Sequence, residues 1–241
     1  MSRKPSGIRV VRSGGYIVHI DICEEVSMDC VKDMHKLYYS IKKEIADLVD
    51  EIVPGVTSIA VYYDPRKISG EAVESKVREL WLWSRSIDIA ELYKPRRFTI
   101  PVAYGGEFGP DLQFVSSWSK LSEEEVVKIH TSRVYTVITL GFTPGFVYMG
   151  EVDPAISAPR LETPRVRIPK GSVGIAGRMT GVYGLESPGG WRLIGRTPLT
   201  MFDYRKNPPI PIHPGDEVVF KSIRPEEFEK LFGVFVGDYS T

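Results

Sequence analysis

Glycine and proline crowd into the chain after Phe98, where they separate short runs of strand-forming residues. One helix is predicted there, from about Ser122 to His130, because Ser122-Glu-Glu-Glu125 matches a capping box, in which the cap hydroxyl and the third carboxylate satisfy free backbone donors. Many short strands joined by glycine and proline turns indicate a β-barrel or a β-sandwich. The predicted strands cover residues 99–104, 135–140, 171–176, 191–194 and 217–222.

The first 95 residues show a different pattern, in which strands and helices alternate. The predicted elements are a strand at 16–22, a helix from the N-cap Ser27 to about Val49, a strand at 56–63 and a helix from about Gly70 to Ser84. This order favours a small ferredoxin-like α/β sandwich. Residues 93–97 read as a linker, so we expect an α+β protein with two domains, residues 1–95 and residues 96–241.

Composition excludes several classes of function. With 31 Lys and Arg against 31 Asp and Glu, the chain lacks the basic surplus of a nucleic-acid binder, and no run approaches the apolar length of a membrane span. Its 42% hydrophobic and 26% charged residues are typical of a soluble globular protein. Cys23 and Cys30 have no matching cysteine or histidine cluster, so we expect reduced thiols, no metal site and a cytoplasmic location.

Motifs for self-sufficient chemistry are missing from the sequence. It has no Gly-x-x-x-x-Gly-Lys-Ser/Thr phosphate loop, no Gly-x-Ser-x-Gly nucleophile elbow and no His-Glu-x-x-His metal helix. Any phosphate chemistry is therefore expected to involve a partner.

His130 is the histidine in the most promising setting for catalysis. It lies at the predicted C-terminal end of a capped helix, where the helix dipole favours the cationic form. Histidine is also well suited to proton transfer near neutral pH, because its pKa lies close to that pH. The alternative is a structural histidine that hydrogen-bonds the free carbonyls at the helix end.

Three glycine-bracketed runs supply candidate binding groups. Residues 141–150 carry Phe142, Phe146 and Tyr148, which would either wall a pocket for a flat molecule or plug the end of a barrel. A second run supplies a cation and two hydroxyls that suit a carboxylate or a polarised carbonyl, namely Arg178, Thr180 and Tyr183, and Arg160 and Arg165 beside prolines add further cations.

The third run contains Ser187-Pro-Gly-Gly190, which reads as a tight turn feeding a short strand. In that strand Trp191 and Leu193 should face one way and Arg192 the other. Such a turn is either plain architecture or a place where the backbone of Gly189 and Gly190 comes close to a ligand.

Four ordered motifs resemble the allophanate hydrolase subunit 1 family, which includes a KipI-type kinase inhibitor and the B-type subunit of the prokaryotic 5-oxoprolinase. The resemblance covers essentially the whole chain. Val147, Met149 and Met179 depart from the usual family residues, and at 179 the family usually has a glutamine. The motifs are Pro101-Val-Ala-Tyr-Gly-Gly-Glu-Phe-Gly-Pro-Asp-Leu112, Gly141-Phe-Thr-Pro-Gly-Phe146, Gly171-Ser-Val-Gly-Ile-Ala-Gly177 and Ser187-Pro-Gly-Gly-Trp-Arg-Leu-Ile-Gly-Arg-Thr-Pro198.

The resemblance implies a ferredoxin-like domain followed by a cyclophilin-like β-barrel. It also implies a partner-dependent subunit of an ATP-hydrolysing amidase, inactive alone, that opens 5-oxoproline to L-glutamate. The implied partners are a homologous second barrel subunit of the C type and an A-type protein of the same 5-oxoprolinase, with the ATP site on a partner. The alternatives are a KipI-like inhibitor of a histidine kinase, a subunit related to carboxyltransferase or allophanate hydrolase, and a prolyl isomerase by fold analogy alone.

For a lactam substrate we expect one cavity at the barrel mouth. A cation would hold the carboxylate, hydroxyls would donate to the carbonyl, and a histidine would move the proton. We also expect the faces around Phe146 and Trp191 to be partly exposed and to invite self-association. The predicted catalytic residues are His130 and Tyr183, and the predicted substrate-binding residues are Tyr148, Arg160, Thr180, Arg196, Gly189 and Gly190.

Overall fold

A computed structural model of the protein describes residues 7–239. Contacts within the chain divide it into two compact units, one ending at Pro95 and the other beginning at Arg96. That each unit folds as an independent domain stays a prediction. Within residues 7–239, no helix has the length and apolar character needed to cross a membrane.

The first unit is a four-stranded antiparallel sheet covered by two helices. The sheet order β1-β2-β4-β3 is that of a ferredoxin-like sandwich, with one difference. The edge strand beside β2 precedes the first helix, whereas the usual βαββαβ order supplies it after the second helix. The elements are β1 (Arg9–Ser13), β2 (Ile17–Asp21), α1 (Met28–Ile45), β3 (Glu51–Pro54), β4 (Ser58–Tyr62) and α2 (Gly70–Ser84).

Local signals explain both helices of this unit. The Ser27 hydroxyl accepts a hydrogen bond from the Cys30 amide, and Ser69 caps α2 in the same way. The helix α1 ends at Ile45, earlier than predicted, and a single 3₁₀ turn, Ala46–Leu48, follows. Alternate residues of β2 and β4 meet the apolar faces of the helices in one core, which contains Val18, Ile20, Met34, Leu37, Ile41, Ile59, Val61, Val73 and Val77.

The expectation of reduced thiols is wrong, because Cys23 and Cys30 form a disulfide with their Cα atoms 6.1 Å apart. Cys30 lies in the first turn of α1, and the loop that enters the cap at Ser27 brings Cys23 back beside it. The seven-residue spacing of the two cysteines does not indicate that their side chains lie close together, because their distance depends on where α1 begins.

The second unit is built around a closed barrel of seven strands in the order β10-β7-β6-β13-β5-β12-β9. Strands β13 and β5 pair in parallel, and the other neighbours are antiparallel. The strands are β5 (Arg97–Tyr104), β6 (Val134–Leu140), β7 (Val147–Gly150), β8 (Arg165–Ile168), β9 (Ser172–Ala176), β10 (Met179–Val182), β11 (Ser187–Gly189), β12 (Arg192–Arg196) and β13 (Glu217–Ser222).

The predicted α+β class with a barrel is therefore confirmed, but the helix count in the second unit was too low. Among residues 96–239 three α-helices accompany the barrel, namely α3 (Leu112–Ser119), α4 (Glu123–Thr131) and α5 (Pro225–Leu231). Only α4 was predicted, and its capping box is present. The segment after α5 packs back, since Phe235 and Val236 are buried in the barrel core.

Strands β8 and β11 form a separate two-stranded ribbon. The interpretation of residues 187–190 as a simple turn is thus wrong, because Ser187 pairs with Ile168 and Gly189 pairs with Arg165 across this ribbon. Pro188 lacks a backbone donor and is exposed, which the edge of this ribbon allows.

Candidate functional site

Side-chain alternation on the barrel strands sorts the predicted site residues onto two faces of the wall. On β7, Val147 and Met149 belong to the barrel core, whereas Tyr148 between them packs against an outer cluster with Phe146, Tyr183 and Trp191. On β10, Thr180 is fully buried and bonded to His130. Two distinct groups of polar side chains result, one inside the barrel and one on its outer wall.

The inner group is a hydrogen-bonded chain through His130. Thr180 donates its hydroxyl proton to the Gly174 carbonyl oxygen at 3.0 Å, so its oxygen accepts from Nε2–H of His130, also at 3.0 Å. Nδ1 of the same ring then accepts from the Tyr104 hydroxyl at 2.8 Å. We assign the neutral Nε2–H tautomer on this pattern, in which every polar atom of the ring has a partner.

His130 is neutral in this setting, and the expectation that the helix dipole would keep it cationic is wrong. Burial lowers the pKa of His130 from 6.5 to about 3. The ring stacks on Phe220 with centroids 4.6 Å apart and has no exposed surface, so loss of hydration outweighs the dipole at the end of α4. This placement favours a structural role for His130 over the predicted catalytic role.

The outer group, which we call the arginine–aromatic site, comprises Tyr148, Arg160, Tyr183, Trp191 and the backbone of Gly189 and Gly190. The Phe146 ring lies beneath it and contacts Tyr148, Tyr183 and Trp191 at centroid distances of 4.5, 4.7 and 5.4 Å. The Arg160 guanidinium lies 5.9 Å from the centre of the Trp191 ring. Arg160 is exposed and forms no ion pair with any of the residues that the structure describes.

Both tyrosine hydroxyls of this site are protonated donors at neutral pH. Burial raises the pKa of Tyr183 to about 12, although a hydrogen bond from the Trp191 backbone and the charge of Arg160 oppose the shift. Burial also raises the pKa of Tyr148, again against the opposing charge of Arg160. A cation and a phenol hydroxyl beside it suit a ligand that carries a carboxylate and a carbonyl.

Glycine is required where the ribbon meets the barrel wall. A Cβ at Gly189 would lie 2.5 Å from the Tyr183 hydroxyl oxygen and 2.7 Å from Cδ1 of Ile168. At Gly190 the nearest atom would be 3.6 Å away, an ordinary contact. The backbone of Gly189 is therefore pressed onto the aromatic cluster, whereas a Cβ at Gly190 would only contact Pro164 and Leu161 at ordinary distances.

Arg196 lies apart from both groups. Its Nε donates to the Lys170 carbonyl at 2.9 Å, and its guanidinium lies 5.8 Å from the centre of the Phe228 ring. A groove of about 770 Å³ lies nearby, lined by Lys170, Leu185, Thr200, Phe202, Asp203, Tyr204, Arg205, Lys206, Gly233, Val234, Phe235 and Asp238. The single cavity expected for His130, Tyr148, Arg160, Thr180, Tyr183 and Arg196 is not formed.

Phe146 and Trp191 are themselves buried, with exposed fractions of 1% and 5%, and self-association through the faces around them stays a prediction. The exposed aromatic of the 141–150 run is instead Phe142. Met179 replaces the glutamine that is usual in the family which the sequence resembles. Its side chain is half-buried against the outer cluster. Among residues 7–239, no group of histidine, cysteine, aspartate and glutamate side chains could hold a metal ion.

Sequence reasoning missed Asp111, which lies next to the outer group. This carboxylate is 6% exposed and accepts hydrogen bonds from Arg165 and from the Leu193 amide. The sequence signal that could have identified it is its position in Gly109-Pro110-Asp111, within the 101–112 motif of the family resemblance.

The fold and the site together define a class of protein, a ferredoxin-like unit joined to a closed barrel whose outer wall carries an arginine–aromatic site. Comparison with known proteins gives the family. Residues 8–212 match the family described as carboxyltransferase domain, subdomain C and D. The chain therefore belongs to that family.

Individual relatives agree with this assignment. The chain is 46% identical over 190 residues to the B-type subunit of 5-oxoprolinase from Bacillus subtilis (strain 168), covering 74% of this chain and 77% of that protein. It is 40% identical over 188 residues to the Escherichia coli O157:H7 protein of the same name, covering 77% and 84%. A crystal structure of a conserved uncharacterized protein from Pyrococcus horikoshii matches with a TM-score of 0.55 and 44% identity, covering 91% of this chain and 100% of the other.

Proposed function

We propose that this protein is the B-type subunit of an ATP-dependent 5-oxoprolinase complex that opens 5-oxoproline to L-glutamate. The observation that carries the proposal is the 46% identity to the Bacillus subtilis 5-oxoprolinase protein of that type, over 77% of its length. The protein from Escherichia coli with the same name supports it at 40% identity.

The chemistry of the reaction explains why such a protein needs partners. The lactam C–N bond is a resonance-stabilised amide, so the carbonyl oxygen must be activated before water attacks. Phosphorylation of the carbonyl oxygen by ATP provides that activation and releases ADP. Water then adds to the carbonyl carbon, and the C–N bond breaks as the nitrogen takes a proton. A second water hydrolyses the acyl phosphate that remains, so the products are glutamate, ADP and phosphate. The chain has no phosphate-binding loop motif. We therefore assign ATP to the complex as a co-substrate, with its site on a partner.

The arginine–aromatic site is the proposed place for the lactam on this protein. The Arg160 guanidinium would hold the carboxylate, and the protonated Tyr148 hydroxyl would donate to the ring carbonyl, with the backbone of Gly190, which is bonded to the Leu161 amide, beside them. Tyr183 supports the site from below through Gly189. Thr180 and Arg196, which lie elsewhere, are no longer part of the proposed contact set, and proton transfer by His130 stays an untested prediction.

The site is shallow, and this supports partner dependence. Arg160 is exposed and Tyr148 is half-buried, so a ligand bound there by this chain alone would remain open to water. A homologous second barrel protein of the C type would cover it, and an A-type protein would complete the turnover. We expect the isolated chain to be inactive for this reason.

Reconstitution tests the proposal. The purified chain is mixed with candidate A-type and C-type proteins, ATP and 5-oxoproline, and glutamate and ADP are measured with each component omitted in turn. Turnover only in the full mixture is the expected result. If no combination produces glutamate, the proposed function fails and a KipI-like inhibitor role becomes the better hypothesis.

A further inference from the structure

One buried carboxylate links the two sides of the arginine–aromatic site. Asp111, at the start of α3, accepts from Arg165 through both oxygens, each at 2.8 Å, and from the Leu193 amide at 2.7 Å. A carboxylate at this depth is stable only when its charge is matched and its oxygens are bonded. Its position is therefore fixed by two segments that are 28 residues apart in the sequence.

Each of these two segments carries part of the site. Arg165 on β8 pairs directly across the ribbon with Gly189, the residue pressed against the Tyr183 hydroxyl. Leu193 follows Trp191 by two residues and packs in the same outer cluster. The ion pair with Arg165 thus holds the glycine side of the site, and the bond from the Leu193 amide holds the tryptophan side.

A further bond extends this link to the cation. The Leu161 amide donates to the Gly190 carbonyl at 2.8 Å, so the segment that carries Arg160 is attached to the ribbon. Movement of β8 and β11 would therefore carry the Arg160 segment with it and change the distance from the guanidinium to the Trp191 ring, while the peptide bond to Trp191 limits the movement of Gly190.

The geometry points to Asp111 as a positioning residue of the arginine–aromatic site: through Arg165 and the Leu193 amide it sets the spacing between the aromatic wall and the ribbon to which the Arg160 segment is attached. It makes no contact with the ligand itself. This inference rests on the proposed function only for its kinetic readout.

The test compares Asp111→Asn with a matched control, Asp216→Asn. Asp216 is also buried, and it accepts from Arg96 and from the His213 amide at the other end of the barrel strands. In the reconstituted complex, Asp111→Asn should raise KM for 5-oxoproline by roughly tenfold to a hundredfold, because displaced binding groups lose affinity steeply with distance. The kcat should stay within about twofold, and Asp216→Asn should leave KM unchanged.

A second readout does not depend on activity. In the isolated chain, Asp111→Asn and Arg165→Lys should both shift the NMR signals of the Trp191 indole and the Gly190 amide, and Asp216→Asn should leave them in place. If Asp111→Asn does not fold, Arg165→Lys carries the test, because Arg165 is partly exposed. Unmoved signals, or an equal KM for both aspartate variants, would overturn the inference. Absence of turnover by the wild-type complex would instead refute the proposed function and leave the NMR comparison decisive.

Discussion

Replacing His130 by glutamine should remove a specific part of the pH dependence of stability. The folded protein holds the pKa of His130 at about 3, whereas an unperturbed histidine titrates at 6.5. The unfolded chain therefore binds a proton more readily, and unfolding is favoured as the pH falls through 6.5 toward 3. The stability contributed by the neutral ring is fully present above pH 6.5.

The size of the effect follows from the shift. Each pKa unit corresponds to about 1.4 kcal/mol, so the whole shift is worth about 5 kcal/mol at pH values below both pKa values. At about pH 5 only part has been lost, about 2 kcal/mol. Glutamine can still donate to Thr180 but does not titrate, and loss of the ring stacked on Phe220 should destabilise the variant by about 3 kcal/mol at neutral pH.

Urea unfolding of both proteins between about pH 7.5 and about pH 5 measures the difference. The gap in unfolding free energy between the wild type and His130→Gln should shrink by about 2 kcal/mol over that range. His19→Gln, which removes a histidine from the surface of β2, controls for the change in net charge. Parallel curves for the wild type and His130→Gln would refute the reasoning, as would an imidazole signal for His130 that titrates near 6.5 in the folded protein.

Gly189→Ala should cost about 2 kcal/mol or more of stability because its Cβ has no room, whereas Gly190→Ala should cost under about 1 kcal/mol; urea unfolding of the two neighbours compares them. Cys30→Ser should lower the free energy of unfolding by about 2.5 kcal/mol, since the disulfide closes a short loop, and a reductant should have the same effect on the wild type alone. Arg160→Ala should raise KM for 5-oxoproline by about tenfold or more with unchanged melting temperature, and Arg178→Ala, which removes another exposed cation, should not.

The helices of the first unit could be predicted because their signals are local. Apolar residues at helical spacing locate α2 at about Gly70 to Ser84, and the structure has the same bounds. The helix α3 has eight residues and no side-chain cap bond at Asp111, and α5 has seven residues. Helices this short depend on packing against the barrel more than on their own sequence. Sequence patterns therefore do not predict them.

The strands of the barrel show the same division. Residues 217–222 form a strand with the predicted bounds, because this run is rich in β-branched and aromatic residues. Strands β7 and β10 have four residues each, contain or adjoin glycine, and were not predicted. Their pairing is decided by closure of the barrel. This closure is a long-range contact, and four-residue stretches of sequence contain little information about it.

The division of the site residues into two groups has a single physical cause. Thr180 lies inside the barrel with His130, while its neighbour Gly181 faces outward, where a Cβ would lie 3.1 Å from the Trp191 ring. Which residue faces inward depends on the register of β10 with β9, and a shift by one residue would exchange the two faces. Residues that are neighbours in a sequence motif were therefore assigned to one site, although their side chains lie on opposite faces of the barrel wall.

The glycines of this wall show where the outer site lies. Gly174 on β9 pairs with Gly181 on β10, and a Cβ at either position would come within 3.1 Å of Trp191. Both positions are glycine because the aromatic cluster occupies the space that a side chain would need. Glycines paired in this way mark the wall that carries Tyr148, Trp191 and Arg160, and a ligand site is best sought on that outer wall.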